Sequence, residues 1–184
     1  LAKKNQGKAF EEQLQLSSKN TKLFFYRIKD QSIPIEMRSK VPVSKNKYDC
    51  IIFDSGHLFT LELKSTGNKS ISFDEKIIKQ HQIDNLVEAN TYDGVISGFI
   101  FNFREYENAT YFVGIDEFNK YKDVAQSESS ESSYVKLNKS SIPLEVCEQI
   151  GVKIQCYKKR TNFHYHIKTF VEEAIVRYGG SNEI

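Results

Sequence analysis

Asp49, Glu62 and Lys64 are the residues of this chain whose types and spacing are best suited to chemistry. The segments 48–53 and 58–64 both read as β-strands, and Ser55 and Gly56 between them suit a two-residue hairpin turn. That turn sets the register. Asp54 faces His57, each step back along the first strand faces a step forward along the second, and Asp49 comes to face Glu62. Opposed residues carry Cβ atoms about 4.5–5.5 Å apart on the same side of the sheet, and Lys64, two positions beyond Glu62, shares that side. Two like charges set opposite each other destabilise a sheet. A hard divalent cation removes the penalty, because Mg²⁺ takes oxygen ligands and is commonly held by one or two carboxylates, with waters and phosphate oxygens completing its shell. Lys64 can orient or help to deprotonate a water and balance charge developing on a phosphoryl group. The reaction class this implies is phosphodiester hydrolysis. A strand ending Glu-x-Lys beside an Asp also arises by chance, so on spacing alone a purely structural sheet stays open as the alternative.

The elements that must hold these side chains follow from the hydrophobic pattern. A helix is predicted from Gly7 to about Ser18, with Ala9, Phe10 and Leu14 on one face, and a strand over Leu23–Ile28. Residues 29–47, with Pro34 and Pro42, read as a long extended connection. After the hairpin come a helix from about Asp74 to Asn90, strands over 95–103 and 110–115, and a helix beginning near Asp116. A short helical piece follows Ile142–Leu144, then a short strand over 152–157 and a C-terminal helix from about Asn162 to Tyr178. This order predicts one α/β (α+β) domain spanning 1–184, with a mixed central sheet flanked by helices. The Ser/Glu run at 126–133 reads as a flexible surface loop.

With 184 residues, 39 % hydrophobic and 27 % charged, the composition is globular. No run approaches a membrane span and the N-terminus has no apolar signal-like stretch, so a cytoplasmic protein is expected. Cys50, Cys147 and Cys156 form no CxxC pair and are expected as buried thiols rather than as a disulfide framework or a zinc site. The net charge of +2 identifies no partner, but basic residues gather at 3–8, between Arg38 and Lys47, and at Lys158, Lys159 and Arg160. Clusters of this kind can converge on phosphates, or each can be ordinary solvated surface.

Asp49 followed thirteen residues later by Glu62-Leu63-Lys64 resembles the PD-(D/E)XK nuclease core, which has a restriction-endonuclease-like fold. The segment from Asn5 to Glu12 is similar to the opening helix motif of RecU Holliday junction resolvases, and Lys79–Ile83 to the RecU helix that carries a glutamine near the metal. The stretches 94–104, 139–144 and 158–160 also look like RecU, especially its shorter phage-borne relatives. The resemblance implies that Asp49 and Glu62 bind Mg²⁺ (Mn²⁺ also serving), with the Leu63 carbonyl as a further ligand. It implies that Lys64 stabilises the transition state and that Gln82 sits at the metal or its water shell. Glu11 would approach from the first helix as a ligand or water-mediated partner, a solvated helix face being the equal alternative, with Glu12 the lesser candidate. The family often has a Thr two residues before the metal-binding Asp; Lys47 stands there and is expected to meet phosphate instead. The stretch 29–47 corresponds to the family's junction-entering stalk in shortened form, so DNA contact falls to Lys8, Arg38, Lys40, Lys45, Lys47, Lys158, Lys159 and Arg160. The segment from Tyr157 to Tyr165 either contacts DNA or forms a core-facing aromatic helix edge. The implied activity is metal-dependent cutting of four-way junction DNA by a homodimer, since two symmetric nicks need two symmetric sites. The products would be ligatable nicks with 5′-phosphate ends; a recombinase partner and the choice between host and phage origin stay open. The alternatives are a restriction- or repair-type endonuclease acting on duplex DNA, and a non-catalytic junction-binding recombination protein.

Overall fold

Ser55 and Gly56 do make the predicted turn. Their φ angles of 49° and 81° are the paired left-handed conformations of a type I′ turn, whose twist matches that of the strands it joins. The hairpin belongs to a computed structural model that describes residues 6–19, 21–29, 36, 46–127 and 132–179. Its first half runs α1 (Gln6–Ser18), β1 (Phe24–Arg27), β2 (Cys50–Asp54), β3 (His57–Thr66), β4 (Ser70–Ser72), α2 (Gln80–Asn90), β5 (Val95–Phe103) and β6 (Ala109–Gly114). The second half runs α3 (Ile115–Gln126), β7 (Ser141–Pro143), α4 (Leu144–Ile150), β8 (Val152–Lys153), β9 (Cys156–Lys159), β10 (Asn162–Tyr165) and α5 (Ile167–Tyr178).

Six strands form one sheet in the order β1-β2-β3-β5-β6-β8. β3 and β5 pair in parallel while their other neighbours pair antiparallel, which makes the sheet mixed. A parallel pair needs a crossover, and α2 supplies it. β5 is buried on both faces, as an interior strand covered by helices should be. One face packs Phe59, Leu61, Leu63, Ile100 and Phe112 against Phe10 and Leu14 of α1 and Phe170 and Val171 of α5. The other packs Phe99, Phe101, Phe103 and Val113 against Ile83 and Leu86 of α2, Phe118 and Tyr121 of α3, and Val146 of α4. The α/β class with a mixed central sheet flanked by helices is therefore observed as predicted.

Gly98 is where β5 and β6 come too close for a side chain: a Cβ there would lie 2.3 Å from the Val113 carbonyl oxygen and 2.7 Å from the Phe112 ring. Gly98→Ala is expected to destabilise the protein by about 1–3 kcal/mol, the usual cost of overpacking. A denaturant midpoint that falls with an unchanged slope checks it.

Three sequence expectations are corrected. The second helix begins at Gln80, not Asp74. Asp74 instead closes a turn, accepting from the N–H groups of Ile77 and Ile78, and the Glu75 carboxylate accepts from the Gln80 N–H at 2.9 Å, which ends the turn where the helix starts. The C-terminal helix begins at Ile167, because 156–165 fold as the β9–β10 hairpin with Lys159 facing Asn162. Arg160 turns that hairpin with φ 58°, and alternation along β10 buries Tyr165. Tyr157–Tyr165 is thus neither a helix nor a helix edge. Ser70–Ser72 and Ser141–Pro143, expected as loop and connection, pair as a small second sheet. Cys50 and Cys147 are buried free thiols as expected, whereas Cys156 is only partly buried. The connection 29–47 lies almost wholly outside the described residues, as do 128–131 of the Ser/Glu run.

Candidate active site

The register of β2 against β3 runs from Asp54↔His57 to Cys50↔Leu61, so the next step sets Asp49 against Glu62. The Asp49 N–H still donates to the Leu61 carbonyl at 3.0 Å, and side-chain contact is added to the backbone bond. The Leu63 N–H donates to Asp49 Oδ2 at 2.8 Å, which pins that carboxylate at the end of the strand. Glu62 stands beside Phe99 on the parallel strand and is only 1 % exposed. It is buried because its neighbours on that face are the phenylalanines of β5 and the helix above them.

Burial, and after it the negative charge of Asp49, push the Glu62 carboxyl up to about 8 against the opposing charge of Lys64. Lys64 Nζ lies 3.5 Å from Glu62 Oε2. Gln82, in the first turn of α2, ties the two together: its Nε2 donates to Glu62 Oε2 at 2.5 Å, and its Oε1 accepts from Lys64 Nζ at 2.8 Å. The same Oε1 accepts from the Lys79 N–H at 3.2 Å, so Gln82 also caps the helix that carries it. Asp49, Glu62, Lys64 and Gln82 are therefore gathered on one face of the sheet.

Glu11 stands nearby in a different arrangement. Its carboxylate pairs with Arg27 of β1, whose Nε donates to Oε2 at 3.0 Å while Nη2 bonds the same oxygen. Arg27 faces Cys50, and the Ile28 N–H donates to the Asp49 carbonyl, so the pair flanks the strand end that carries Asp49. Cys50 feels the charges of Asp49, Glu62, Glu11 and Arg27 together, which places all four at this end of the sheet. Sequence reading missed Arg27; the available signal was a lone charge closing an aromatic strand. Glu12 is exposed.

The basic candidates are dispersed. Lys47 pairs with Glu88 of α2 at 2.9 Å, both side chains being more than half exposed, and that partner raises its pKa. Lys8 is exposed in the first turn of α1, and Lys158, Lys159 and Arg160 are exposed around the β9–β10 turn. Arg38, Lys40 and Lys45 lie outside the described residues.

The donor set fits a hard cation. Asp49 and Glu62 offer only oxygens, and among the described residues no group of three His, Cys, Asp or Glu side chains is placed to hold a metal. Two carboxylates with the remaining positions left to water and phosphate is a usual way of holding Mg²⁺. A softer ion would call for imidazole or thiolate, and the nearby Cys50 thiol is buried in the core on the other face of β2.

Fold and site together define an α/β protein that gathers an Asp, a Glu-x-Lys pair and a helix glutamine on one face of a mixed sheet. The family model of recombination protein U (RecU) matches residues 5–160, and the chain belongs to that family. It is 48 % identical over 171 residues to the SPbeta prophage-derived uncharacterized protein YotM of Bacillus subtilis (strain 168), an alignment covering 93 % of this chain and 87 % of the relative. Among solved structures it is similar to Archaeoglobus fulgidus Hjc, described as a Holliday junction resolvase, with 12 % identity and a TM-score of 0.48 over 80 % of this chain and 95 % of that one. No helix among the described residues is long and apolar enough to cross a membrane.

Proposed function

We propose that this protein is a structure-selective DNA endonuclease that resolves four-way (Holliday) junctions by divalent-metal-dependent phosphodiester hydrolysis. The observation that carries the reading is the buried Glu62 carboxylate placed against Asp49 and within 3.5 Å of Lys64, in a chain of the RecU family. A pair so costly to the folded state is accounted for by a ligand that needs both charges. Asp49 and Glu62 would hold Mg²⁺ or Mn²⁺, with Gln82 as a partner that sets the orientation of Glu62. A cation bound there supplies Lewis-acid polarisation of the phosphate and lowers the pKa of water.

The chain's own groups do the rest. Lys64 is anchored by Gln82 and offers its ammonium to the charge that grows on the phosphate oxygens. The Leu63 N–H keeps Asp49 turned into the site. Water adds to phosphorus, the P–O3′ bond breaks, and a proton reaches the departing 3′ oxygen, leaving a 5′-phosphate and a 3′-hydroxyl. Paired nicks on opposed strands require two such sites, hence a homodimer. The prophage relative supports a phage-type origin.

Because Glu62 titrates near 8, a proton competes with the cation below that pH. Mg²⁺ affinity is expected to fall by about tenfold per pH unit as the pH drops from 8 towards 6. Binding at pH 7 should release close to one proton. Calorimetry in two buffers of different ionisation enthalpy measures both quantities. A pH-independent affinity would remove Glu62 from the cation's shell.

The test of specificity offers labelled four-way junction and matched linear duplex to the wild-type protein in Mg²⁺ and maps every cut. Symmetric, ligatable nicks confined to the junction support the reading. Equal cutting of the duplex would reassign the protein to a restriction- or repair-type endonuclease. Junction binding without any cutting would make it a non-catalytic recombination protein.

A further inference from the structure

Arg104 is a described basic residue that stands outside the candidate active site. It follows the last residue of β5, at the end of the sheet where β3 also finishes. Its backbone N–H donates to the Thr66 carbonyl at 2.9 Å, and its Nη1 donates to Ser65 Oγ at 3.0 Å. Ser65 is the residue after Lys64. The guanidinium lies along Gly67, with Nη2 3.4 Å from the point a Cβ there would occupy.

What holds Arg104 is neutral. Ser65 Oγ donates to Asn102 Oδ1 at 2.7 Å; Asn102 Nδ2 donates to Asn108 Oδ1 and Thr110 Oγ1 at 2.9 Å each; Asn108 Nδ2 donates to the Tyr165 hydroxyl at 2.9 Å. Asn102, Asn108 and Thr110 are all buried. This chain of bonds locks the end of β5 to the β9–β10 hairpin. Arg104 itself is half-buried and forms no ion pair among the described residues, unlike Arg27, which is satisfied by Glu11. A guanidinium partly withdrawn from water without a carboxylate is poised for an anion.

The space in front of it is a polar cleft of about 340 Å³ between the first two turns of α1, the end of β5 and the hairpin. Gln6 and Gln13 line one side and Thr161 another, directly after the exposed Lys158, Lys159 and Arg160. Glu105 also lines it, but is exposed and forms no ion pair with Arg104. Lys64 and Ser65 are consecutive, so their Cα atoms are about 3.8 Å apart and their side chains leave opposite faces of the strand. The cleft therefore opens on the α1 face of the sheet and the candidate active site on the α2 face, so a strand that reaches both passes around the end of β3.

We propose that the Arg104 cleft binds a backbone phosphate of the DNA strand held at Glu62 and Lys64, and that the basic β9–β10 hairpin carries the phosphates beyond it. The site rests on the DNA-cleaving reading above and adds to it a fixed contact that aligns the strand for cutting. Planar, forked recognition of a phosphate suits Arg and is only partly replaced by Lys.

The experiment measures junction affinity against salt concentration in EDTA for the full chain and its Arg104→Gln and Arg104→Lys variants. It then repeats the measurement on junctions in which one phosphodiester at a time is an uncharged methylphosphonate. Arg104→Gln should weaken binding by about tenfold or more. It should also lower the slope of log affinity against log salt by about one phosphate's worth, ~0.9. Arg104→Lys should restore the slope without restoring the full affinity, which also shows that the variants fold. One methylphosphonate position should weaken the wild type and leave Arg104→Gln unaffected. An unchanged slope in Arg104→Gln, or methylphosphonate effects identical in both proteins, overturns the cleft while leaving the nuclease intact if the wild type still cuts in Mg²⁺. A wild type that neither binds nor cuts DNA overturns the cleft together with the reading it rests on.

Discussion

Glu62→Gln should yield a metal-free protein that is more stable than the wild type and unable to cut DNA. The stability half follows from position. Glu62 is 1 % exposed, faces Asp49, and carries a carboxyl pushed up to about 8, first by burial and then by its neighbour's charge. The folded state therefore holds its proton more tightly than the unfolded chain, where the ordinary value is 4.5. Stability contributed by that proton is complete below about 4.5 and is lost as the pH climbs through 8. Glutamine mimics the protonated form: its oxygen can accept from Gln82 Nε2 and its amide can donate to Asp49. At pH 8–9 the gain should be on the order of 1–4 kcal/mol, as when buried ionised groups are replaced by neutral ones. In a chain of this size each kcal/mol moves Tm by about 2–4 °C. Melting curves from pH 5 to 9 should fall for the wild type and stay level for the variant. The activity half is the opposite. Loss of groups that merely orient metal ligands costs about 10–100-fold, and loss of a carboxylate ligand should exceed that. A stabilised, inactive protein identifies a site kept for function at the expense of the fold. A destabilised one would mean that Glu62 is structural.

Lys64→Met is expected to lower the rate of the chemical step by about 10²–10³-fold while junction affinity changes little. The ammonium is within 3.5 Å of Glu62 and is held by Gln82, beside the carboxylates proposed to hold the cation. Methionine keeps the aliphatic stem, and Gln82 Oε1 retains the Lys79 N–H as a donor, so α2 should stay capped. Without the lysine, Glu62 also loses the positive charge that opposes its upward shift, and its titration should move further up. Single-turnover rates at saturating protein, taken beside equilibrium binding in EDTA, separate the two effects. An unchanged rate would assign Lys64 to charge balance in the fold.

The site was more legible in the sequence than the elements around it. Ser55 and Gly56 fix a hairpin with one register, and a one-residue slip would move every side chain to the other face. Turn chemistry and strand alternation alone therefore bring Asp49, Glu62 and Lys64 together. The start of α2 was not legible, because the residues from Asp74 to Lys79 carry a helical pattern while Asp74 and Glu75 spend their carboxylates on turn and helix N–H groups. The β9–β10 hairpin was hidden because its turn uses Arg160 in a left-handed conformation instead of the Gly or Asn that marks such turns. Arg27 and Arg104 were missed for a different reason. Their partners, Glu11 and Ser65, are set by packing between α1 and β1 and between β3 and β5, and no local pattern encodes those contacts.

The most direct measurement offers a labelled four-way junction to the wild type, Asp49→Asn and Glu62→Gln, in Mg²⁺ and in EDTA, with binding followed in parallel. Paired nicks are expected from the wild type in Mg²⁺ only, with no cutting by either variant although both still bind the junction. Cutting that survives in EDTA or in both variants would contradict a metal-dependent nuclease built on this site, since the opposed carboxylates would then have no part in the chemistry.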